Sequence, residues 1–272
     1  MTMSVILITG ASSGIGLQTA MTLARQGHVV YGAARRVDKL EALAADGVRP
    51  LRLDITSEES MTTAVATLIK NEKRIDVLIN NAGYGSYGAI EDVSLAEAKK
   101  QFDVNLFGMA RLTQLVLPHM RAQRAGRIIN TSSMGGRLVS YMGAWYHATK
   151  YAVEAFSDAL RMETKNFGIK VSIIEPGGIK TNWGFIAADH LVASAQGGAY
   201  EQQATKAATG MRRQYHSNML SAPQVISNAI SKAVNRRHPR TRYLVGFGAK
   251  PLVLAKKLLP TRFFDFLMMH AS

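Results

Sequence analysis

The chain has no cysteine in 272 residues, which excludes a disulfide framework and a thiolate metal site and fits a reducing compartment. It has no run of about 18 uninterrupted apolar residues, the length a membrane-spanning helix needs. No Pro/Ser-rich linker, repeat or low-complexity tract divides it. Acid is scarce, with 19 Asp and Glu against 33 Lys and Arg and a formal charge of +14. Such an excess attracts an anionic cofactor, a nucleic acid or an acidic lipid surface. The basic clusters Arg121/Arg124/Arg127, Arg212-Arg213 and Arg236-Arg237-His238-Pro239-Arg240-Thr241-Arg242 carry no interleaved aromatics for base stacking. They read as solvated surface, and no nucleic-acid partner is expected. The N-terminus enters an apolar run at once, without a basic region and cleavable stretch, so a cytoplasmic location is expected, with peripheral membrane contact the alternative.

What the chain does contain is 47% hydrophobic residues, ample for one α/β domain spanning 1–272. Val5-Ile6-Leu7-Ile8 reads as a buried parallel strand. Thr9-Gly10-Ala11-Ser12-Ser13-Gly14-Ile15-Gly16 follows, and Leu17 to Gln26 reads as a helix closed by Gly27. Strand, glycine-rich turn and helix in this order form a phosphate cradle: the glycines allow close backbone approach and the helix start offers unpaired N–H groups. The spacing is Gly-x-x-x-Gly-x-Gly. A second strand, His28 to Ala34, ends in Arg35-Arg36, where an acidic residue would accept from a ribose and arginine suits a 2′-phosphate, which argues for NADP over NAD.

Val48 to Leu53 reads as a third strand with Asp54 placed to meet an adenine, Ser57 to Lys70 as a helix, and Ile75 to Ile79 as a strand closed by Asn80-Asn81-Ala82-Gly83. Residues 94–118 look largely helical, and Asn105 in that apolar pattern is either a structural bridge or part of a proton path. Arg127 to Ser132 leads to Ser133, whose hydroxyl can stabilise charge on a carbonyl or alcohol oxygen. In the helix that runs to about Thr164, Tyr146 and Lys150 stand at i and i+4 on one face. The ammonium is expected to lower the tyrosine pKa from its ordinary value of about 10, fitting it for proton transfer. Lys170 to Ile174 is the sixth strand, and Glu175-Pro176-Gly177-Gly178-Ile179-Lys180-Thr181 turns the chain where a cofactor's reactive end would lie. The alternation predicts a doubly wound parallel sheet with helices on both faces.

Residues 4 to 182 resemble the short-chain dehydrogenase/reductase family. The resemblance rests on Thr9 to Gly16 as cofactor turn, Asn80 to Gly83 as sheet-stabilising motif, Ser133, Tyr146 and Lys150 as catalytic set with Asn105 as fourth member, and Pro176-Gly177 with Thr181 as nicotinamide-side loop. It implies a Rossmann-type fold and hydride transfer between a nicotinamide and a carbonyl carbon. Tyr146 exchanges the proton, Lys150 holds the nicotinamide ribose, Ser133 orients the substrate oxygen, and Asn105 supports a water relay. Ser12 and Arg35 accommodate the 2′-phosphate with Arg36 nearby, and Asp54 contacts the adenine. Gly10, Ser13, Gly14, Ile15, Gly16, Asn81, Ala82, Gly83 and Ile179 complete the expected cofactor contacts, with no metal. Thr149 stands where serine is frequent.

Ala33-Ala34-Arg35 and Arg242-Tyr243-Leu244-Val245-Gly246 look most like the NADP-preferring hydroxysteroid and retinol dehydrogenases, implying a bulky apolar ketone or secondary alcohol as substrate. Residues 182–222 are expected to form a substrate loop, with Trp183, Phe185, Ile186, Leu191, Tyr200 and Met211 either lining a pocket or covering the sheet. The tail, 247–272, reads as packing over the cleft or at the interface of a homodimer or homotetramer, or as an amphipathic helix on an anionic bilayer. The rival functions are a non-catalytic NADP-binding regulator and a basic membrane or nucleic-acid adaptor.

Overall fold

The computed structural model describes residues 3–270, so the first two residues and the last two of the tail segment lie outside the described residues. Seven strands, all parallel, form one sheet in the order β3-β2-β1-β4-β5-β6-β7. They are β1 (Val5–Thr9), β2 (Val29–Ala34), β3 (Val48–Arg52), β4 (Val77–Asn80), β5 (Gly126–Thr131), β6 (Ile169–Pro176) and β7 (Arg242–Val245). The helices are α1 (Gly14–Arg25), α2 (Val37–Glu41), α3 (Glu58–Glu72), α4 (Leu95–Phe102), α5 (Gly108–Ala122), α6 (Ala144–Thr164), α7 (Trp183–Ala195), α8 (Glu201–His216), α9 (Pro223–Asn235), α10 (Ala249–Leu258) and α11 (Thr261–His270).

The inner strands β1, β2 and β4 are almost wholly apolar and buried because both faces of the sheet are covered there. Ile6 and Ile8 of β1 pack into a cluster with α1 and α9 residues such as Leu23, Ile226 and Ile230. Val5 and Leu7, pointing the other way, join Met61, Leu68, Leu112 and Val116 of α3 and α5. Each of these buried apolar side chains contributes about 1.5–3 kcal/mol. The strand order reverses between β1 and β4, which opens a crevice at their carboxyl ends.

Three stretches take a form that the sequence reading leaves open or draws more coarsely. The stretch 94–118 is helical as expected, and it is divided into two helices, α4 and α5, joined by a π-helical turn over Asp103–Phe107 that contains Asn105. Residues 182–222 are largely a helical pair, α7 and α8, zipped together by Ala187, Ala188, Ala204, Ala207 and Ala208. The Arg242 segment is a seventh strand beside β6, its first residue holding Glu154 of α6 at 3.1 Å.

Candidate active site

The turn after β1 is drawn tight by its neighbour strand. Thr9 Oγ1 accepts the N–H groups of Asn81 and Ala82, each at 3.0 Å, and Asn81 Nδ2 donates to the Thr9 carbonyl at 3.1 Å. Gly10 has φ +69, a backbone state glycine adopts freely, and a Cβ on Gly16 would collide with the Gly10 carbonyl. Beneath Asn81, Asn80 Nδ2 bridges Thr113 at 3.1 Å and Asn130 at 2.9 Å, so buried amides lock β4 to β5 and α5. The first turn of α1 contains no acidic residue, and its N-cap, Ser13, makes no side-chain capping bond. Its N–H groups and positive dipole end therefore offer a seat to an anion. The shape and chemistry of this cradle fit a nucleotide pyrophosphate.

At the end of β2, Arg36 Nη2 donates to Ser12 Oγ at 3.0 Å and lies 3.5 Å from Ser13 Oγ. Arg36 rather than Arg35 is thus the arginine joined to Ser12. Arg35 sits near Asp54 on the other side. Partial burial works to raise the Asp54 pKa, but hydrogen bonds from the Thr56 N–H and hydroxyl and the Arg35 charge outweigh it and hold the carboxyl below its usual range.

Ser133, Tyr146 and Lys150 come together where β5 ends and α6 begins, facing the same cleft of about 1420 Å³ as the glycine turn. The residues of the cofactor set from Gly10 to Thr181 line it as well, except Gly16, which lies beneath the turn. The expected depression of the Tyr146 pKa is corrected here. Burial pushes the phenol up to about 12, offset only in part by a hydrogen bond with the Ser133 hydroxyl. The Lys150 ammonium makes its hydrogen bond elsewhere. It stands 6.0 Å from the Tyr146 ring centre and donates to the Thr131 carbonyl at 2.9 Å. Lys150 itself is pulled down to about 8 by burial, with the nearby Glu154 charge opposing the shift.

Asn105 does not line the cleft. Its Nδ2 donates to the Tyr84 carbonyl at 2.9 Å and to Thr149 Oγ1 at 3.0 Å, while its Oδ1 accepts from the Tyr84 N–H at 3.0 Å. Thr149 donates in turn to the Tyr146 carbonyl at 2.7 Å, so the hydroxyl at this position ties α6 to the π-turn.

The Tyr146 end of the cleft is aromatic. Trp183 lies 5.0 Å and Tyr87 5.6 Å from the Tyr146 ring, centre to centre. Of the six residues singled out over 182–222, Trp183, Ile186, Leu191 and Met211 line the cleft. Phe185 packs instead on Tyr215 and His216, and Tyr200 joins the α7–α8 cluster. Sequence reasoning missed Tyr87, Tyr215, Leu252 and Met268 as lining residues. Tyr87 had a findable signal, since it follows a strand's carboxyl end; the others depend on how distant helices fold back.

A family model described as short chain dehydrogenase matches residues 4–185. The chain is 40% identical to a 3-ketodihydrosphingosine reductase of Bacteroides thetaiotaomicron, the match covering 89% of this chain and 87% of that one. It is 31% identical to a 17-beta-hydroxysteroid dehydrogenase type 6 of Rattus norvegicus, covering 97% and 87%. Among solved structures, a short-chain dehydrogenase from Streptomyces avermitilis superposes with a TM-score of 0.81 at 33% identity, covering 94% of this chain and 92% of that one.

Proposed function

The chain belongs to the short-chain dehydrogenase family, and from that premise we propose that it is an NADP(H)-dependent oxidoreductase of bulky apolar ketones and secondary alcohols. The observation that carries the reading is the meeting of the Tyr146 phenol and the Ser133 hydroxyl in the same cleft as the anion-seating start of α1. When bound, the cofactor supplies or accepts the hydride at its nicotinamide carbon.

The chain's own residues handle the proton and the geometry. Tyr146, kept protonated by burial, gives its phenolic proton to the carbonyl oxygen as that atom gains negative charge. Ser133 donates to the same oxygen and fixes its position. Lys150, held by Thr131, presents its ammonium to the cofactor's ribose, and Asn105 with Thr149 positions the helix that carries both groups. Arg36 with Ser12 recognises the 2′-phosphate, and Arg35 adds charge beside Asp54. The rings of Trp183, Tyr87 and Tyr215 favour an apolar substrate, and the names of the two relatives, a ketosphingoid reductase and a hydroxysteroid dehydrogenase, support the same class.

The test is consumption of NADPH, followed by absorbance, with a panel of long-chain ketones, steroids, retinal and short aldehydes, each run beside NADH. Turnover of bulky apolar carbonyls with NADPH preferred is expected. Preference for NADH, or turnover restricted to short aldehydes, would refute the corresponding half of the proposal.

A further inference from the structure

The cofactor and substrate roles leave unexplained the surface made by the last two helices. Six of the seventeen large apolar side chains exposed among the described residues fall within α10 and α11. On α10, Lys250, Leu254, Lys257 and Leu258 recur at i, i+4, i+7 and i+8 and so share one outward face, with Leu254 56% and Leu258 73% exposed. α11 is held to the body by the buried Phe264, which packs with Leu138 and Val253 while Lys256 Nζ stands 5.0 Å from its ring centre. Phe263, Leu267 and Met269 remain exposed. The pair carries four basic residues, Lys250, Lys256, Lys257 and Arg262, against a single acid, Asp265.

We infer that α10 and α11 dock the protein onto the surface of an anionic lipid bilayer, leucine and phenylalanine side chains entering the acyl boundary and the lysines meeting headgroup phosphates. At a bilayer surface exposed apolar side chains enter the acyl boundary while the long stems of neighbouring lysines and arginines snorkel back to the headgroup phosphates. Charge decides against a second copy as the occupant. A two-fold contact through this face would set the lysines of one protomer against those of the other with only Asp265 to compensate, on a chain already at +14. Among the described residues no helix is long and apolar enough to cross a membrane, so the attachment is peripheral.

Docking in this orientation has a consequence for the cleft. Leu252 of α10 and Met268 of α11 line it, so its opening lies beside the bilayer, where an apolar substrate is concentrated. That consequence rests on the proposed substrate class; the docking does not.

The test is co-sedimentation of the full chain with vesicles of phosphatidylcholine alone and of phosphatidylcholine with phosphatidylglycerol, without any turnover assay. Its failure therefore leaves the oxidoreductase reading untouched. Wild type is expected to pellet with the anionic vesicles, weakly with the neutral ones, and to be released by salt. Lys250→Gln/Lys257→Gln should lower partitioning by roughly thirtyfold, and Leu254→Glu/Leu258→Glu should abolish it, while thermal melting and NADPH binding show both variants folded. Absence of pelleting with anionic vesicles, or equal pelleting of Leu254→Glu/Leu258→Glu, would overturn the inference. So would a concentration-dependent dimer that Leu254→Glu/Leu258→Glu dissolves, which would assign the face to a second copy.

Discussion

At the nucleotide end of the cleft the walls are main chain: the Gly10 to Gly16 turn, the N–H groups of α1 and the Asn81-Ala82 backbone pinned to Thr9. At the Tyr146 end they are rings and flexible apolar side chains, carried on a loop after β4, on α7 and α8, and on the tail helices. A main-chain wall has no side chain to move aside, so a single added methyl group is felt at once. A side-chain wall can repack, so on the proposed function it is the second end that would set the substrate range.

The comparison breaks most readily at Gly16. Gly16→Ala drives a Cβ into the Gly10 carbonyl and the Asn81 amide. Overpacking of this kind costs about 1–3 kcal/mol, so NADPH affinity should fall by about ten- to a hundredfold in a fluorescence titration; an unchanged affinity would mean that the turn does not seat the cofactor.

The pH profile probes the other end. With Tyr146 raised to about 12, the phenol stays protonated through the neutral range, and the phenolate needed to take a proton from an alcohol grows as pH rises. Alcohol oxidation should therefore rise by about tenfold per pH unit while ketone reduction stays level through neutrality and falls only as pH approaches the phenol's own value. An oxidation rate that levels off near neutrality would show that the Lys150 charge, not burial, governs the phenol.

Arg36→Ala should weaken NADPH by about tenfold, the loss of one charge-assisted hydrogen-bonding group, and leave NADH unaffected. Arg35→Ala should do less. Equal losses for both cofactors would remove the 2′-phosphate assignment. Smallest is Trp183→Ala, expected to raise KM for a bulky ketone by a few-fold without altering NADPH affinity, because neighbouring rings can close part of the gap.

The same contrast explains what was legible in the sequence. Val5 to Gly16 announces strand, turn and helix locally, because each residue type there answers to a backbone demand a few positions away. Tyr146 and Lys150 are likewise paired by helical spacing. The direction of the Tyr146 pKa was not legible, because it depends on Trp183 and Tyr87 closing over the ring, and spacing along one helix says nothing of burial. That Arg36 rather than Arg35 bonds to Ser12 was not legible for the same reason, since it turns on how two adjacent side chains lie across the strand ends. The π-turn at Asn105 and the strand at Arg242 are stabilised by partners 44 and 88 positions away.

The most direct test of the account is Tyr146→Phe, which removes one hydroxyl and leaves the ring among Trp183, Tyr87 and His147. NADPH affinity and thermal stability should stay close to wild type while ketone reduction is lost. A variant that binds NADPH and still turns over at a substantial fraction of the wild-type rate would contradict the assignment of Tyr146 as the proton donor.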